Sequence, residues 1–245
     1  MLMPQAAIAQ SIATAALPTF SAQIARGKLE EMRSSLSASL RGILLLSIPA
    51  SLGLVLLRKP IITFLYQRGE FTALSTKLVA WALLWYGIGM VGHAMVEILS
   101  RAFYALHDTK TPVLIGIAAM SLNVLFSFVF SAVFKRLGWM PHGGLALANT
   151  LATGLEMIGL ILIMRVRLNG LDGKRVWRGV LRAVGSGLLM AVSILGWSYL
   201  MSQEPAWIIT SGGIFIGMTV YLGVLGLFKT PELIQVYQAV RRRLT

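Results

Sequence analysis

Apolar runs of about 20 residues recur along this 245-residue chain and constrain its fold more than any other feature. An α-helix rises about 1.5 Å per residue, so such a run covers the roughly 30 Å hydrocarbon core of a bilayer. Only 13% of the residues are charged, against about a quarter in an average soluble domain, and the mean hydropathy is +0.75. The sequence therefore predicts an all-α, polytopic transmembrane helical bundle.

The apolar runs and the residues that break helices divide the chain into seven candidate spans. They cover about residues 2–25, 42–66, 78–100, 113–134, 145–164, 183–202 and 207–228. The first is rich in small and polar residues, which favours a bundle interior over contact with lipid. The second is interrupted by Pro49 and by Arg58-Lys59-Pro60. This pattern indicates one span followed by a short interfacial or re-entrant piece that ends near Tyr66.

Lys and Arg are distributed unequally between alternate connections, and this asymmetry predicts an orientation. The connections after spans one, three and five, with the C-terminal tail, hold sixteen basic residues, and the opposite connections hold six. Because cytoplasmic loops carry the positive excess, we expect a cytoplasmic C-terminus. Seven spans then place the N-terminus outside without a leader, which indicates that further helices precede this sequence. Residues 229–245 are predicted to form a basic amphipathic helix on the cytoplasmic membrane surface.

Motifs typical of other function classes are missing from the sequence. Its basic residues, which give a formal charge of +13, lie between apolar runs instead of along one recognition helix, so we expect no nucleic-acid partner. The chain has no HExxH, GxSxG or Walker motif and no cysteine. We therefore expect neither an enzyme nor a bound cofactor or metal. Any transport would draw on a Na⁺, H⁺ or substrate gradient, because no nucleotide site is present.

Ionisable residues at membrane depth are costly and are therefore functional candidates. His93, Glu97 and Arg101 follow at intervals of four on one helix face. They form either a proton relay or headgroup contact, or an interfacial Glu97–Arg101 pair beside a His93 that hydrogen-bonds within the bundle. Glu156 lies midway along the fifth span among small residues, which predicts that it faces a cavity or a partner.

Polar side chains in the fourth and fifth spans offer oxygen ligands for a hard cation such as Na⁺. Asn123 and Ser127 are four residues apart, and Asn149 and Thr150 lie early in the next span. Hydrogen bonding between helices is the commoner use of such residues. An ion site and a structural role both remain open at this point.

Four runs at predicted span boundaries resemble a known family. They cover residues 15–21, 66–71, 101–112 and 144–148. In this order they resemble successive signatures of the MurJ (MviN) lipid II flippase family, within the multidrug/oligosaccharidyl-lipid/polysaccharide (MOP) exporter superfamily. The residues that carry the first three signatures are Pro18, Arg68, Gly69, Phe71, Phe103, Tyr104, Asp108, Thr111 and Pro112.

The resemblance implies fourteen helices in two lobes, of which this chain supplies roughly helices eight to fourteen. Residues 1–164 would form the core of the C-terminal lobe, and 165–228 would add two spans with a groove for a lipid tail. The N-terminal lobe would then be a missing partner. Some family members bind Na⁺ in this lobe, and Asn123 and Thr150 match that pattern, whereas Ser127 stands where an acidic side chain is expected.

The resemblance also implies a function in bacterial cell wall biogenesis. Such a flippase carries lipid II, the undecaprenyl-pyrophosphate-linked peptidoglycan precursor, from the cytoplasmic to the outer leaflet of the inner membrane by alternating access. Three alternatives stay open. They are a flippase for another polyprenyl-linked glycan, a MATE-like antiporter, and a truncated scaffold that transports nothing.

Overall fold

The structure, a computed structural model, describes residues 9–228, and the regular secondary structure in this range is helical. The helices are α1 Ser11–Ala25, α2 Leu29–Leu56, α3 Arg58–Tyr66, α4 Ala73–Ala105, α5 Lys110–Arg136, α6 His142–Arg167, α7 Gly173–Leu200 and α8 Ala206–Leu227. Six of these described helices, all except α1 and α3, are long and apolar enough to cross a bilayer. The prediction of an all-α polytopic bundle is confirmed.

The first predicted span corresponds to α1, which has 15 residues with Pro18 inside it. At 1.5 Å per residue the described helix Ser11–Ala25 is about 22 Å long, which is shorter than the roughly 30 Å hydrocarbon core. Residues 2–8 of that predicted span lie outside the described residues. The predicted amphipathic helix at 229–245 also lies outside them.

Two predicted starts were wrong by about three turns of helix. Helix α2 begins at Leu29 instead of near 42, and α7 begins at Gly173 instead of near 183. Hydropathy marks only the apolar part of a span, whereas backbone hydrogen bonding carries a helix on into its polar turns. Glu30 and Glu31 lie in the first turn of α2, where carboxylates stabilise the positive end of the helix dipole.

The break predicted at Arg58-Lys59-Pro60 is present, whereas Pro49, the other predicted interruption, lies inside α2 and does not end it. Helix α2 ends at Leu56, and the short helix α3 follows from Arg58 to Tyr66. Pro60 lies in the first turn of α3, where its missing N–H has no helical partner to lose.

One end of the bundle gathers the turns that precede α2, α5 and α7, and we call it the basic end. Arg33 of α2 lies 3.8 Å from Asp172 in the turn before α7. Arg167 of α6 pairs with Asp108 in the turn before α5. These contacts hold together, at one end of the bundle, three turns that are far apart in the sequence.

The opposite end gathers the turns that precede α4, α6 and α8. His142 Nε2 lies 2.9 Å from the Leu78 carbonyl oxygen, and Trp81 Nε1 donates to the Met140 carbonyl at 3.2 Å. The start of α6 is therefore held against the start of α4.

The buried apolar core has two parts that share α2. The larger part joins α1, α2, α4 and α6 through residues such as Met32, Ile98, Phe103 and Leu160. The smaller part joins α7 and α8 to α2 and α3. Helix α5 stands at the edge and packs mainly on α6, and its only fully buried residues are Pro112, Ala119 and Phe134. The predicted division at residue 164 stays a prediction, although 165–167 still belong to α6.

Candidate functional site

A polar pocket of about 220 Å³ opens between α4, α5 and α6, near the middle of α5 and α6. One side chain comes from α4, and the other lining residues lie on single faces of α5 and α6. The lining residues are His93, Gly116, Ala119, Met120, Asn123, Asn149, Ala152, Thr153 and Glu156. Intramembrane polar groups that face a bundle interior mark candidate ion or substrate paths, so this pocket is the candidate functional site.

His93 is held in the pocket by two side chains of α6. Its Nε2 lies 3.0 Å from Oδ1 of Asn149 and 3.4 Å from Oγ1 of Thr153. An amide oxygen only accepts, so in this arrangement Nε2 carries the proton and donates to Asn149. The hydrogen bond joins α4 to α6 at the level of the pocket.

Glu156 places a carboxylate in the pocket opposite the small residue Gly116. Its Oε1 lies 3.6 Å from where a Cβ on Gly116 would stand. Among residues 9–228 no hydrogen bond or ion pair reaches this carboxylate. A half-buried carboxylate without such a partner needs water, a proton or a cation beside it.

The polar residues predicted as possible ion ligands do not all meet in the pocket. Asn123 lines it, and Ser127 Oγ donates to the Asn123 Oδ1 at 3.4 Å. Thr150 is turned toward α4, where its Oγ1 donates to the Trp85 carbonyl at 2.7 Å. Within the described range no group of three or more His, Cys, Asp or Glu side chains is placed to hold a metal ion.

The stripe of His93, Glu97 and Arg101 divides into two parts. Arg101 Nη2 donates to Glu97 Oε1 at 2.8 Å, and both side chains are partly exposed. His93 instead bonds to α6 within the bundle. His93 is therefore bonded to α6 and Glu97 to Arg101 within α4, and among the described residues no side-chain hydrogen bond joins His93 to Glu97.

The third family signature builds the turn between α4 and α5. Asp108 Oδ1 accepts from the Thr111 backbone N–H at 3.0 Å, and its Oδ2 accepts from the Thr111 hydroxyl at 2.6 Å. These bonds cap the start of α5. The Thr111 hydrogen bonds, aided by the Arg167 charge, hold the pKa of the Asp108 carboxyl below its usual value. In the same signature Phe103 and Pro112 are buried, whereas Tyr104 is partly exposed.

The first two signatures also shape the backbone rather than line the pocket. Pro18 lies inside α1. Arg68 and Phe71 close a turn between α3 and α4, in which the Phe71 N–H donates to the Arg68 carbonyl at 3.1 Å. Gly69 has φ +55° there, a left-handed conformation that favours glycine.

The small residues around Glu156 on α6 were part of the prediction, but sequence reasoning missed Arg167 as a partner and missed the small residues of α5 that leave room for the pocket. In the sequence Arg167 is only one of several positive charges in a connection. Gly116, Ala119 and Asn123 lie three or four residues apart on one face of α5. This spacing was the available signal, because small residues beside a polar one indicate a close approach of helices.

Comparisons with known proteins cover most of the chain. Residues 1–212 match the sequence model of the family described as "Lipid II flippase MurJ". A Vibrio cholerae protein named "Probable lipid II flippase MurJ" is 30% identical over 224 residues, which are 88% of this chain and 41% of that protein. "Lipid II flippase MurJ" of Burkholderia cenocepacia is 32% identical over 193 residues, 78% of this chain and 36% of that protein.

A solved structure from this family has the same fold as this chain. The structure titled "Lipid II flippase MurJ, inward closed conformation" superposes with a TM-score of 0.75 and 26% identity over 93% of this chain and 44% of that chain. This chain thus spans less than half the length of the relatives and of the structure named here. The family consists of lipid transporters, not enzymes, and the resemblance in the signatures is confirmed. The match to the family model over most of the chain, together with these relatives, shows that the chain belongs to the MurJ lipid II flippase family.

Proposed function

We propose that this chain forms the C-terminal lobe of a lipid II flippase and works with an N-terminal lobe. The observation that carries the proposal is the superposition of 93% of this chain on 44% of a solved lipid II flippase. A lobe of about this size is one half of a transporter that alternates access by rocking two halves about a central site. The pyrophosphate-linked head would cross between the lobes while the polyprenyl tail stays in lipid.

The orientation follows from the charge asymmetry. The basic end would lie in the cytoplasm, because the connections at this end, with the tail, hold the sixteen basic residues. Lipid II would then enter from that side and leave at the opposite end. The C-terminus would then be cytoplasmic.

The pocket around Glu156 would supply the coupling step. A carboxylate that takes up H⁺ or Na⁺ in one state of the lobe and releases it in another would bias the rocking equilibrium by its differential affinity. Glu156 has no hydrogen bond or ion pair with residues 9–228 and would be free to bind the ion. The His93–Asn149 hydrogen bond in the same pocket depends on the relative position of α4 and α6, so it would change if these helices moved. Asn123 would be a further oxygen ligand in the same pocket.

The lipid tail would lie along α7 and α8. Their outer faces expose long apolar side chains over residues 183–228, including Leu188, Val192, Phe215 and Met218. Trp197 Nε1 donates to the Ile209 carbonyl at 3.2 Å and holds the two helices together near the opposite end. A hydrophobic surface of this kind suits a polyprenyl chain, which brings no polar group to the bilayer core.

The test is translocation in reconstituted vesicles. Three preparations are compared: this chain together with the N-terminal lobe of the Burkholderia cenocepacia relative, this chain alone, and that lobe alone. In each, the outward movement of fluorescent lipid II is followed. We expect translocation only when both lobes are present. Full activity of this chain alone would contradict the half-transporter interpretation.

The same vesicles distinguish the alternatives. Preferential movement of another polyprenyl-linked glycan over lipid II would identify a different flippase. Uptake of a cationic dye against a proton gradient, without lipid movement, would favour an antiporter. If neither cargo moves and the two-lobe protein does not rescue a flippase-depleted bacterium, a scaffold function remains.

A further inference from the structure

A second pocket, of about 450 Å³, lies toward the opposite end and is separate from the Glu156 pocket. Three elements meet there: the break between α2 and α3, the first two turns of α4, and the turn between α5 and α6. Its charged lining is Arg58, Lys59 and Lys77, and its apolar lining includes Leu74, Trp81 and Trp139. We call it the basic pocket.

The basic pocket concentrates positive charge without a counter-ion from the described residues. No acidic side chain lines it, and neither Lys59 nor Lys77 has a hydrogen bond or ion pair within residues 9–228. Arg58 donates Nη1 to the Val55 carbonyl at 2.6 Å and so caps the end of α2. Two free ammonium groups and a guanidinium around one cavity attract an anion, and phosphate is the anion that lysine commonly binds as a point charge.

The apolar side of the basic pocket indicates where that phosphate comes from. Trp81 is held by its bond to the Met140 carbonyl and meets Trp139 edge-on, with ring centroids 5.7 Å apart. Trp139 is 48% exposed and Leu74 is 65% exposed. Exposed tryptophan beside cations is typical of the headgroup level of a membrane. A soluble phosphate has no apolar group to contact these exposed side chains, whereas the glycerol and first acyl carbons of a phospholipid would cover them.

We propose that the basic pocket binds the phosphodiester headgroup of an anionic phospholipid. The phosphate lies between Lys59 and Lys77, and the glycerol backbone contacts Trp139 and Leu74. Bound there, the lipid bridges α3, α4 and the α5–α6 turn, which have few side-chain hydrogen bonds to one another. The site shares no lining residue with the Glu156 pocket and lies outside α7 and α8, whose surface is proposed for the lipid tail.

Quenching of tryptophan fluorescence by brominated lipids tests this site in the full chain. The chain is placed in vesicles in which brominated phosphatidylglycerol or brominated phosphatidylcholine replaces the unlabelled lipid, and the relative binding constant is measured. We expect phosphatidylglycerol to be preferred. The double variant K59Q/K77Q lowers that preference, roughly five-fold for each lysine removed. Arg58 is left unchanged because it caps α2.

A matched control is available at the same end. Lys135 and Arg136 end α5, are exposed and do not line the basic pocket, so K135Q/R136Q removes the same charge and leaves the site intact. We expect this variant to keep the preference, and circular dichroism checks that both variants retain helix content. Equal loss in both variants, equal quenching by the two lipids in the unaltered chain, or relief of quenching by inorganic phosphate would each overturn the proposal. Failure of lipid II translocation would not affect it.

Discussion

Arg167, the last residue of α6, lies with its Nη2 2.5 Å from Oδ2 of Asp108 in the turn between α4 and α5. The same carboxylate accepts two hydrogen bonds from Thr111 at the start of α5. One side chain that is 10% exposed therefore joins the ends of three helices at the basic end. The third family signature thus has a structural role, because it connects these helix ends. The effect of removing this connection on stability can be measured without a transport assay.

Replacing Asp108 by Ala removes the cap of α5 and the partner of Arg167. Loss of an N-terminal cap costs about 0.5–2 kcal/mol, and a partly exposed ion pair adds at most about 1 kcal/mol. We expect the free energy of unfolding to fall by about 0.5–3 kcal/mol in an SDS titration. The matched control is D172A, since Asp172 lies at the same end and its two ion pairs are both long, at 3.8 Å. An equal loss in both variants would show that this connection has no special role.

The lowered pKa of Asp108 also predicts a pH dependence of stability. Because the pKa is lower in the folded chain than in the unfolded one, the ionised form stabilises the fold above the unfolded value of about 3.9. That contribution is lost as the pH falls through the lower folded value. The unaltered chain should therefore lose more stability below about pH 4 than D108N, which keeps a capping oxygen without the charge. Parallel acid titrations followed by tryptophan fluorescence measure the difference.

Gly144 should not tolerate even alanine. A Cβ there would stand 2.6 Å from the Phe130 carbonyl carbon, in the backbone of α5, which cannot move aside as a flexible side chain would. Overpacking of this kind costs about 1–3 kcal/mol. We expect G144A to separate α5 from α6 and to lower the midpoint of thermal unfolding. G154A on the same helix meets nothing within 4 Å and should leave the midpoint unchanged or higher. Similar behaviour of the two variants would contradict the close contact between α5 and α6 at Gly144.

Tyr221 should hold α8 on α2 through its hydroxyl. The hydroxyl donates to the Leu45 carbonyl at 2.6 Å, and the residue is 4% exposed. Hydrogen bonds between membrane helices are worth about 0.6 kcal/mol on average and at most about 1.7 kcal/mol. We expect Y221F to lose a free energy of unfolding within that range. Y199F, at a residue that is 82% exposed, is the control and should lose nothing measurable.

Glu156 should govern ion dependence in the two-lobe flippase. E156Q keeps the shape of the side chain but removes the titratable carboxylate from the pocket. We expect the stimulation of lipid II translocation by an ion gradient to fall about ten-fold, within the usual range of coupling between sites. E204Q removes a carboxylate from the turn before α8 and serves as the control. An unchanged response to the gradient in E156Q would exclude this pocket as the coupling site.

The spacing of residues in the sequence shows which side chains share one face of a helix. It does not show which residues of other helices that face contacts. The interval from Glu97 to Arg101 allows an ion pair within one helix, and that pair is present at 2.8 Å. Asn123 and Thr150 are both candidate ion ligands in the sequence, but Thr150 faces the Trp85 carbonyl while Asn123 faces the pocket. Spacing along a helix sets the angle between two side chains, whereas the rotation of the helix against its neighbours depends on packing.

The sequence by itself determined that this chain is a bundle of membrane-spanning helices, where most of the spans lie, and to which family it belongs. These properties follow from the length of apolar runs and from short local signatures, which act over a few residues. Only the tertiary structure decided that Arg167 meets Asp108, 59 residues earlier, and that His93, Asn149 and Glu156 share one pocket. Such contacts form when helices that are distant in the sequence pack with their small-residue faces together and their buried polar groups paired. This packing depends on several helices at once and is not determined by any local sequence pattern.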